Sequence, residues 1–134
     1  VNIMREALIW LGAVEKSHAY RNPLEGKDVD QIATATAHEL NRLRSMFDAD
    51  TKFVVLIAPA RFEIVNADKA YANARIKIKD ALTKLDIPFV DPLARFQELG
   101  FEATHFIHDG HWSATGHRLA AEETATWLRA HLTQ

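Results

Sequence analysis

Apolar positions along the chain alternate between helix-like and strand-like spacings. Over residues 3–16, Met4, Leu8 and Leu11 recur on one helical stripe with Ala7 and Val14 beside it, which predicts a first helix. Residues 17–27 are polar and contain Asn22-Pro23 and Gly26, the composition of a surface loop and the best boundary in the chain. Asp28 then suits a helix N-cap with Gln31 as its box partner. Val29, Ile32, Ala33, Thr36, Leu40, Leu43 and Phe47 follow at 3.6-residue spacing and predict a helix over 28–47.

The pattern changes at Phe53-Val54-Val55-Leu56-Ile57-Ala58, a continuous apolar run closed by Pro59. Such a run predicts a parallel strand in mid-sheet, covered on both faces. From Asn66 the stripe Ala67, Tyr71, Ala74, Ile78, Leu82, Leu85 predicts a helix, with Asp68 early and Lys77, Lys79 and Lys84 late, as the helix dipole favours. Ile87-Pro88-Phe89-Val90 reads as a second strand, so residues 53–90 form a βαβ unit with a right-handed crossover. Asp91 and Pro92 suit the N-cap and first position of a short helix that carries Leu93 and Phe96 and stops at Gly100. Residues 101–112 read as a loop, and Ser113 caps a last helix with Ala114, Ala121, Ala125, Leu128 and Leu132 on its inner stripe, flanked by Ala120 and Trp127.

These elements predict an α/β fold of three layers with a mostly parallel sheet. The chain divides into a helical part (1–47), the βαβ unit (53–90), and a loop with the last helix (101–132), all within one domain-sized segment of 134 residues. Two strands alone would leave their outer edges unpaired, so further strands are expected outside this segment or in a partner. The start at Val1-Asn2-Ile3-Met4, without an initiator Met or a signal-peptide pattern, reads as a processed product or fragment.

Composition narrows the function classes. Apolar residues make up 48% and charged ones 25%, the balance of a folded globular chain. A formal charge of -2 and a sequence pI near 6.4 give no electrostatic case for nucleic acid or an anionic membrane. No apolar run approaches the roughly 20 residues that span a bilayer. The absence of cysteine excludes disulfides, thiolate zinc sites and a cysteine nucleophile.

Candidate chemistry concentrates in Thr104-His105-Phe106-Ile107-His108-Asp109-Gly110-His111-Trp112-Ser113-Ala114-Thr115-Gly116-His117, which holds four of the seven histidines. Asp109 and His111 stand two apart across Gly110 and, on an extended loop, point the same way, while flexible Gly110 permits the bend. The carboxylate can then fix the imidazole tautomer while the other ring nitrogen takes a proton from a serine hydroxyl.

The Asp109-Gly110-His111-Trp112-Ser113 block, followed by Gly116-His117 and Ala120-Ala121, resembles the C-terminal block of SGNH (GDSL-type) hydrolases, especially the branch similar to alginate O-acetyltransferases. The Ile57-Ala58-Pro59-Ala60-Arg61 run resembles that branch's penultimate strand. The resemblance covers about residues 53–132. It implies an SGNH/flavodoxin-like fold and a serine esterase or O-acyltransferase acting on acetyl esters of carbohydrate. Asp109 would orient His111, and His111 would be the general base. It further implies no cofactor and an ester or acetylated carbohydrate as substrate; it is compatible with an extracytoplasmic location, while the sequence itself leaves the compartment open.

The family's Gly-Asp-Ser block and its oxyanion-hole Gly and Asn residues are missing. Ser17, Ser45 and Ser113 are the only serines, and none falls on a strand-to-helix turn that would present a nucleophile. The nucleophile is therefore expected upstream, in a larger hydrolase. This chain alone is expected to be inactive, and the N-terminal part of the same protein or a second copy is the expected partner.

Other readings compete residue by residue. Trp112 suits a substrate-pocket wall or, better, a packing anchor. His117, placed on the inner side of the last helix, suits a structural hydrogen bond. Arg61 is assigned no role. His105, His108, Asp109 and His111 carry ligand chemistry for zinc or manganese, but their spacing is not that of a metal motif, and Phe106-Ile107 predicts a buried turn. No metal is expected. A non-catalytic module that binds a glycan or a protein is the remaining alternative.

Overall fold

The computed structural model describes residues 24, 26–107 and 110–132. The expected helix over 3–16, together with Ser17, His108 and Asp109, lies outside the described residues. Eight elements follow among those described. They are α1 (Val29–Arg44), β1 (Val55–Leu56), α2 (Arg61–Val65), α3 (Lys69–Lys84), β2 (Phe89–Val90), α4 (Leu93–Leu99), α5 (Phe101–Thr104) and α6 (Ala114–Leu132). No helix among them is long and apolar enough to cross a membrane.

The fold is mixed α/β with a small parallel sheet. β1 pairs with β2 in the register Val55↔Phe89 and Leu56↔Val90, as the βαβ pattern predicts. Phe53, Val55, Ile57 and Phe89 pack with Leu40, Ile78, Ala81 and Leu85 around buried Ala37, Leu82 and Ile87, so α1 and α3 cover this side of the sheet. The opposite side carries Leu56 and Val90 as register partners. There Val90 is buried but Leu56 is 39% exposed, which corrects the expectation that β1 is covered on both faces. β2 is the one strand neighbour of β1 among the described residues.

Helix boundaries follow their caps. The Asp28 side chain accepts the Gln31 N–H at 3.0 Å, as the box pattern predicts. α1 ends at Arg44, three residues short of Phe47, and Ser45 Oγ donates back to the Arg42 carbonyl. Its inner face is Ala33, Ala37 and Leu40, while Thr36, Leu43 and Phe47 are exposed, a correction to the predicted stripe. The small alanines let α1 approach α3 closely, and the larger side chains turn outward. Arg44 ties the two helices at their ends by donating to the Leu85 and Asp86 carbonyls.

Asp68 caps α3 by accepting from the Ala70 and Tyr71 N–H groups. Asp91 Oδ1 accepts the Leu93 N–H at 3.2 Å, while Pro92 stands as N-cap, one residue later than predicted. α4 stops at Gly100, whose φ of 79° few other residues adopt.

A second core, of Phe96, Leu119 and Ala120 with Ile64 and Trp112, lies between α4, α6 and α2. Here α6 is rotated from the predicted stripe: Gly116, Leu119 and Ala120 face inward, whereas Ala114, Ala121 and Leu132 are exposed. Gly116 sets that rotation. A Cβ there would land on the Thr104 carbonyl oxygen and press on Trp112 Cβ at 3.1 Å, so only glycine lets the helix sit this close to α5.

Candidate active site

The histidine-rich segment is partly helical rather than a continuous loop. Residues Phe101–Thr104 form α5, after which His105 and Trp112 pair as an antiparallel bridge. The Phe106 N–H donates to the His111 carbonyl at 2.8 Å, and the Gly110 N–H donates to the Phe106 carbonyl at 3.1 Å. These bonds close a hairpin. Gly110 turns it at φ 74°, the bend the sequence pattern assigned to that residue. Phe106, paired with His111, and the following Ile107 are 55% and 63% exposed, so the predicted buried turn is corrected. The backbone closes the hairpin by itself and leaves both apolar side chains in water.

Both ends of the hairpin are anchored. Ser113 Oγ donates to the Ala103 carbonyl and accepts the Gly116 N–H, capping α6 as predicted. Its backbone N–H donates to the Thr104 carbonyl at 2.9 Å. Trp112 packs its ring 5.1 Å from Phe96 and 5.5 Å from His117. It is a half-buried anchor at this position. His117 is exposed, not inward-facing, and its ring stands edge-on to Trp112.

His105 and His111 have opposite surroundings. His105 is 3% exposed, stacked on Phe101 at 5.0 Å and edge-on to Phe96 at 5.9 Å, with Nδ1 2.9 Å from Thr104 Oγ1. Burial holds its imidazole below the usual histidine range, and the Arg61 charge pushes the same way. His111, by contrast, presents an exposed side chain from a backbone pinned by Phe106.

Arg61, assigned no role from sequence, meets this hairpin. Its Cδ lies 3.0 Å from where a Cβ on Gly110 would be, and its guanidinium stands over the Phe62 ring at 4.8 Å. Because Arg61 begins α2 a few residues after β1, its side chain brings Gly110 to the segment that follows the carboxyl end of that strand, the side on which open α/β sheets hold ligands.

α2 and α3 also hold an ionic cluster that the sequence reading missed. Arg75, 8% exposed, donates Nε and one NH group to the two carboxylate oxygens of buried Glu63 at 2.6 and 2.7 Å. It also donates to Asp91 Oδ1 at 2.8 Å and to the Ile57 and Ala58 carbonyls. Lys79 takes the other Asp91 oxygen at 2.9 Å, and Glu63 Oε2 accepts the Ala60 N–H at 2.9 Å. One guanidinium thereby joins α3 to α2 and to the carboxyl ends of both strands. Burial disfavours its charge, but Glu63 and Asp91 outweigh that and raise its pKa. A charged residue on the otherwise apolar stripe of α3 was the available signal.

Among the described residues no group of three or more His, Asp and Glu side chains is arranged to hold a metal ion. His105, one of four ligands in the metal reading, is committed to an aromatic sandwich and to Thr104, and His108 and Asp109 lie outside the described residues. Among the described serines, Ser45 and Ser113 both use their hydroxyls on backbone carbonyls. Compared with protein-family models, curated proteins and solved structures, the chain has no match in any of the three.

Proposed function

We propose that this chain is the C-terminal part of a serine ester hydrolase or O-acyltransferase of three-layer, SGNH-like architecture. The substrate class is acetyl esters of carbohydrate, and His111 and Asp109 belong to a Ser-His-Asp triad. His111 removes the proton from a serine hydroxyl as the oxygen attacks the ester carbon. It then gives that proton to the leaving alcohol. Asp109 holds the ring and stabilises the imidazolium. Water or a second alcohol resolves the acyl-enzyme by the same proton route. No cofactor enters. The serine comes from another segment of the polypeptide: Ser45 and Ser113 donate to backbone carbonyls, and Ser17 falls in no strand-to-helix pattern in the sequence.

The observation that carries this reading is the setting of His111. A general base must be reachable by substrate yet fixed in position. The His111 side chain is exposed while its carbonyl accepts from Phe106, and Gly110 beside it packs against Arg61. His105, equally dense in sequence, lacks that access because it is buried.

The test is turnover of p-nitrophenyl acetate by the full-length parent and its His111→Ala variant. A loss of about 10³-fold or more is expected for a triad member. Activity equal to the parent's overturns the assignment. The 134-residue chain alone is expected to be inactive, and robust turnover by it would overturn the account of the nucleophile.

A further inference from the structure

The hairpin is tied down at its base, while its turn meets a side chain from far away in sequence. Ser113 bonds to Ala103, Thr104 and Gly116, and the His105–Trp112 bridge joins the two strands. Gly110 lies beyond these ties, in the turn between Phe106 and His111. Chain neighbours aside, the three atoms nearest to where a Cβ on Gly110 would stand all belong to Arg61. They are Cδ, Nη1 and Nε, at 3.0, 3.4 and 3.7 Å. The Arg61 side chain therefore runs along the turn from stem to guanidinium, and glycine is what lets it come so close. Its charge also acts on His105, so it stands near the first strand of the hairpin as well.

Arg61 is itself held. Ala60 donates its N–H to Glu63 Oε2 at 2.9 Å and accepts the Glu63 N–H at 3.0 Å, which fixes the first turn of α2 on either side of Arg61. Arg75 grips the Glu63 carboxylate and donates to the Ile57 and Ala58 carbonyls, which ties that turn to the end of β1. The guanidinium of Arg61 lies 4.8 Å over the Phe62 ring, and Phe62 stacks on Tyr71 of α3 at 5.2 Å. A continuous path thus runs from the buried ion pair through Ala60 and Arg61 to Gly110, the residue before His111.

We propose that Arg61 is a positioning residue for the hydrolytic site: its side chain is a shelf that holds the Gly110 turn, and through it the His111 imidazole, where His111 can take the serine proton. Arg61 acts through the backbone rather than on the substrate. A lone hairpin is marginal in water, so its rigidity depends on what it packs against. An exposed imidazole takes much of its orientation from the backbone that carries it, and a misplacement of about 1 Å can cost about 10²-fold in rate. The inference rests on the reading of His111 as general base.

The experiment has two arms. In the 134-residue chain, amide exchange is read at Phe106 and Gly110, whose N–H groups close the hairpin. Arg61→Ala is expected to speed both about tenfold and to leave the amides of α1 and α3 and the urea midpoint unchanged. Arg61→Lys keeps the stem through Cδ and should restore most of the protection. In the full-length parent, Arg61→Ala is expected to lower kcat for p-nitrophenyl acetate about 10–100-fold with KM within about twofold, and Arg61→Lys to recover most of it. Gly110→Ala pushes the turn off the same side chain, so it should cost less kcat in the Arg61→Ala background than alone. Unchanged exchange in Arg61→Ala, or an equal cost of Gly110→Ala in both backgrounds, overturns the proposal. Turnover lost in His111→Ala but kept in Arg61→Ala overturns this inference alone, whereas turnover kept in His111→Ala overturns the reading of His111 with it.

Discussion

Arg75→Met removes the cation that, among the described residues, pairs with the buried Glu63 carboxylate. Both partners are nearly inaccessible, at 8% and 4%, so water cannot replace the guanidinium. Removing one member of a buried pair typically costs about 3–5 kcal/mol, because the remaining charge is stranded. Two strand-end carbonyls, of Ile57 and Ala58, lose their donor as well, while Asp91 keeps Lys79. With a urea dependence of about 2 kcal/mol per molar, the unfolding midpoint should fall by about 1.5–2.5 M. Adding Glu63→Gln neutralises the stranded charge and leaves an oxygen for the Ala60 N–H. The double variant should therefore be more stable than Arg75→Met alone. The assay is urea unfolding followed by circular dichroism. A cost below about 1 kcal/mol for the single variant, against the range for a buried pair, would refute this reasoning. So would a double variant that is no better than the single.

Two further outcomes rest on the same cores. Because burial, and then Arg61, depress the folded-state affinity of His105 for a proton, the unfolded chain binds that proton more readily. The resulting stability is complete above the unfolded value of about 6.5 and is lost as pH falls from there through the lower folded value. His105→Gln should flatten the drop in urea midpoint between about pH 7.5 and about pH 5, and an unchanged drop would contradict the burial argument. Gly116→Ala would raise stability by about 0.5–1 kcal/mol in an ordinary helix. Here the clash with the Thr104 carbonyl should reverse the sign, by an overpacking cost of about 1–3 kcal/mol, and a higher melting temperature would show that α6 does not sit as close as described.

The elements with strong periodicity were legible from sequence: α1, α3, β2 and α6 fall where apolar spacing put them. Their rotation was less so. In α1 and α6 the inward faces are built on Ala33, Ala37, Gly116 and Ala120, whose small side chains add little to a hydrophobic stripe yet decide how closely helices approach. α2 escaped notice because five residues after Pro59 are too short to establish a period. Arg75 and Glu63 were missed because pattern reading ranks a charged residue as exposed, and only tertiary pairing makes burial tolerable. In the candidate site, the glycine bend and the Ser113 cap were readable from local chemistry. The separation of buried His105 from exposed His111 was not, because it depends on Phe96 and Phe101 closing around one ring. Nor was the approach of Arg61 to Gly110, which joins segments some 50 residues apart.

The central claim is that His111 activates a serine. Its most direct measurement is the rate at which a fluorophosphonate labels that serine in the full-length parent and in His111→Ala, since labelling reads nucleophile activation without reference to the natural ester. The account predicts labelling of the parent at one serine other than Ser17, Ser45 and Ser113, slowed by about 10³-fold or more in the variant. Equal labelling rates in the two proteins would contradict it.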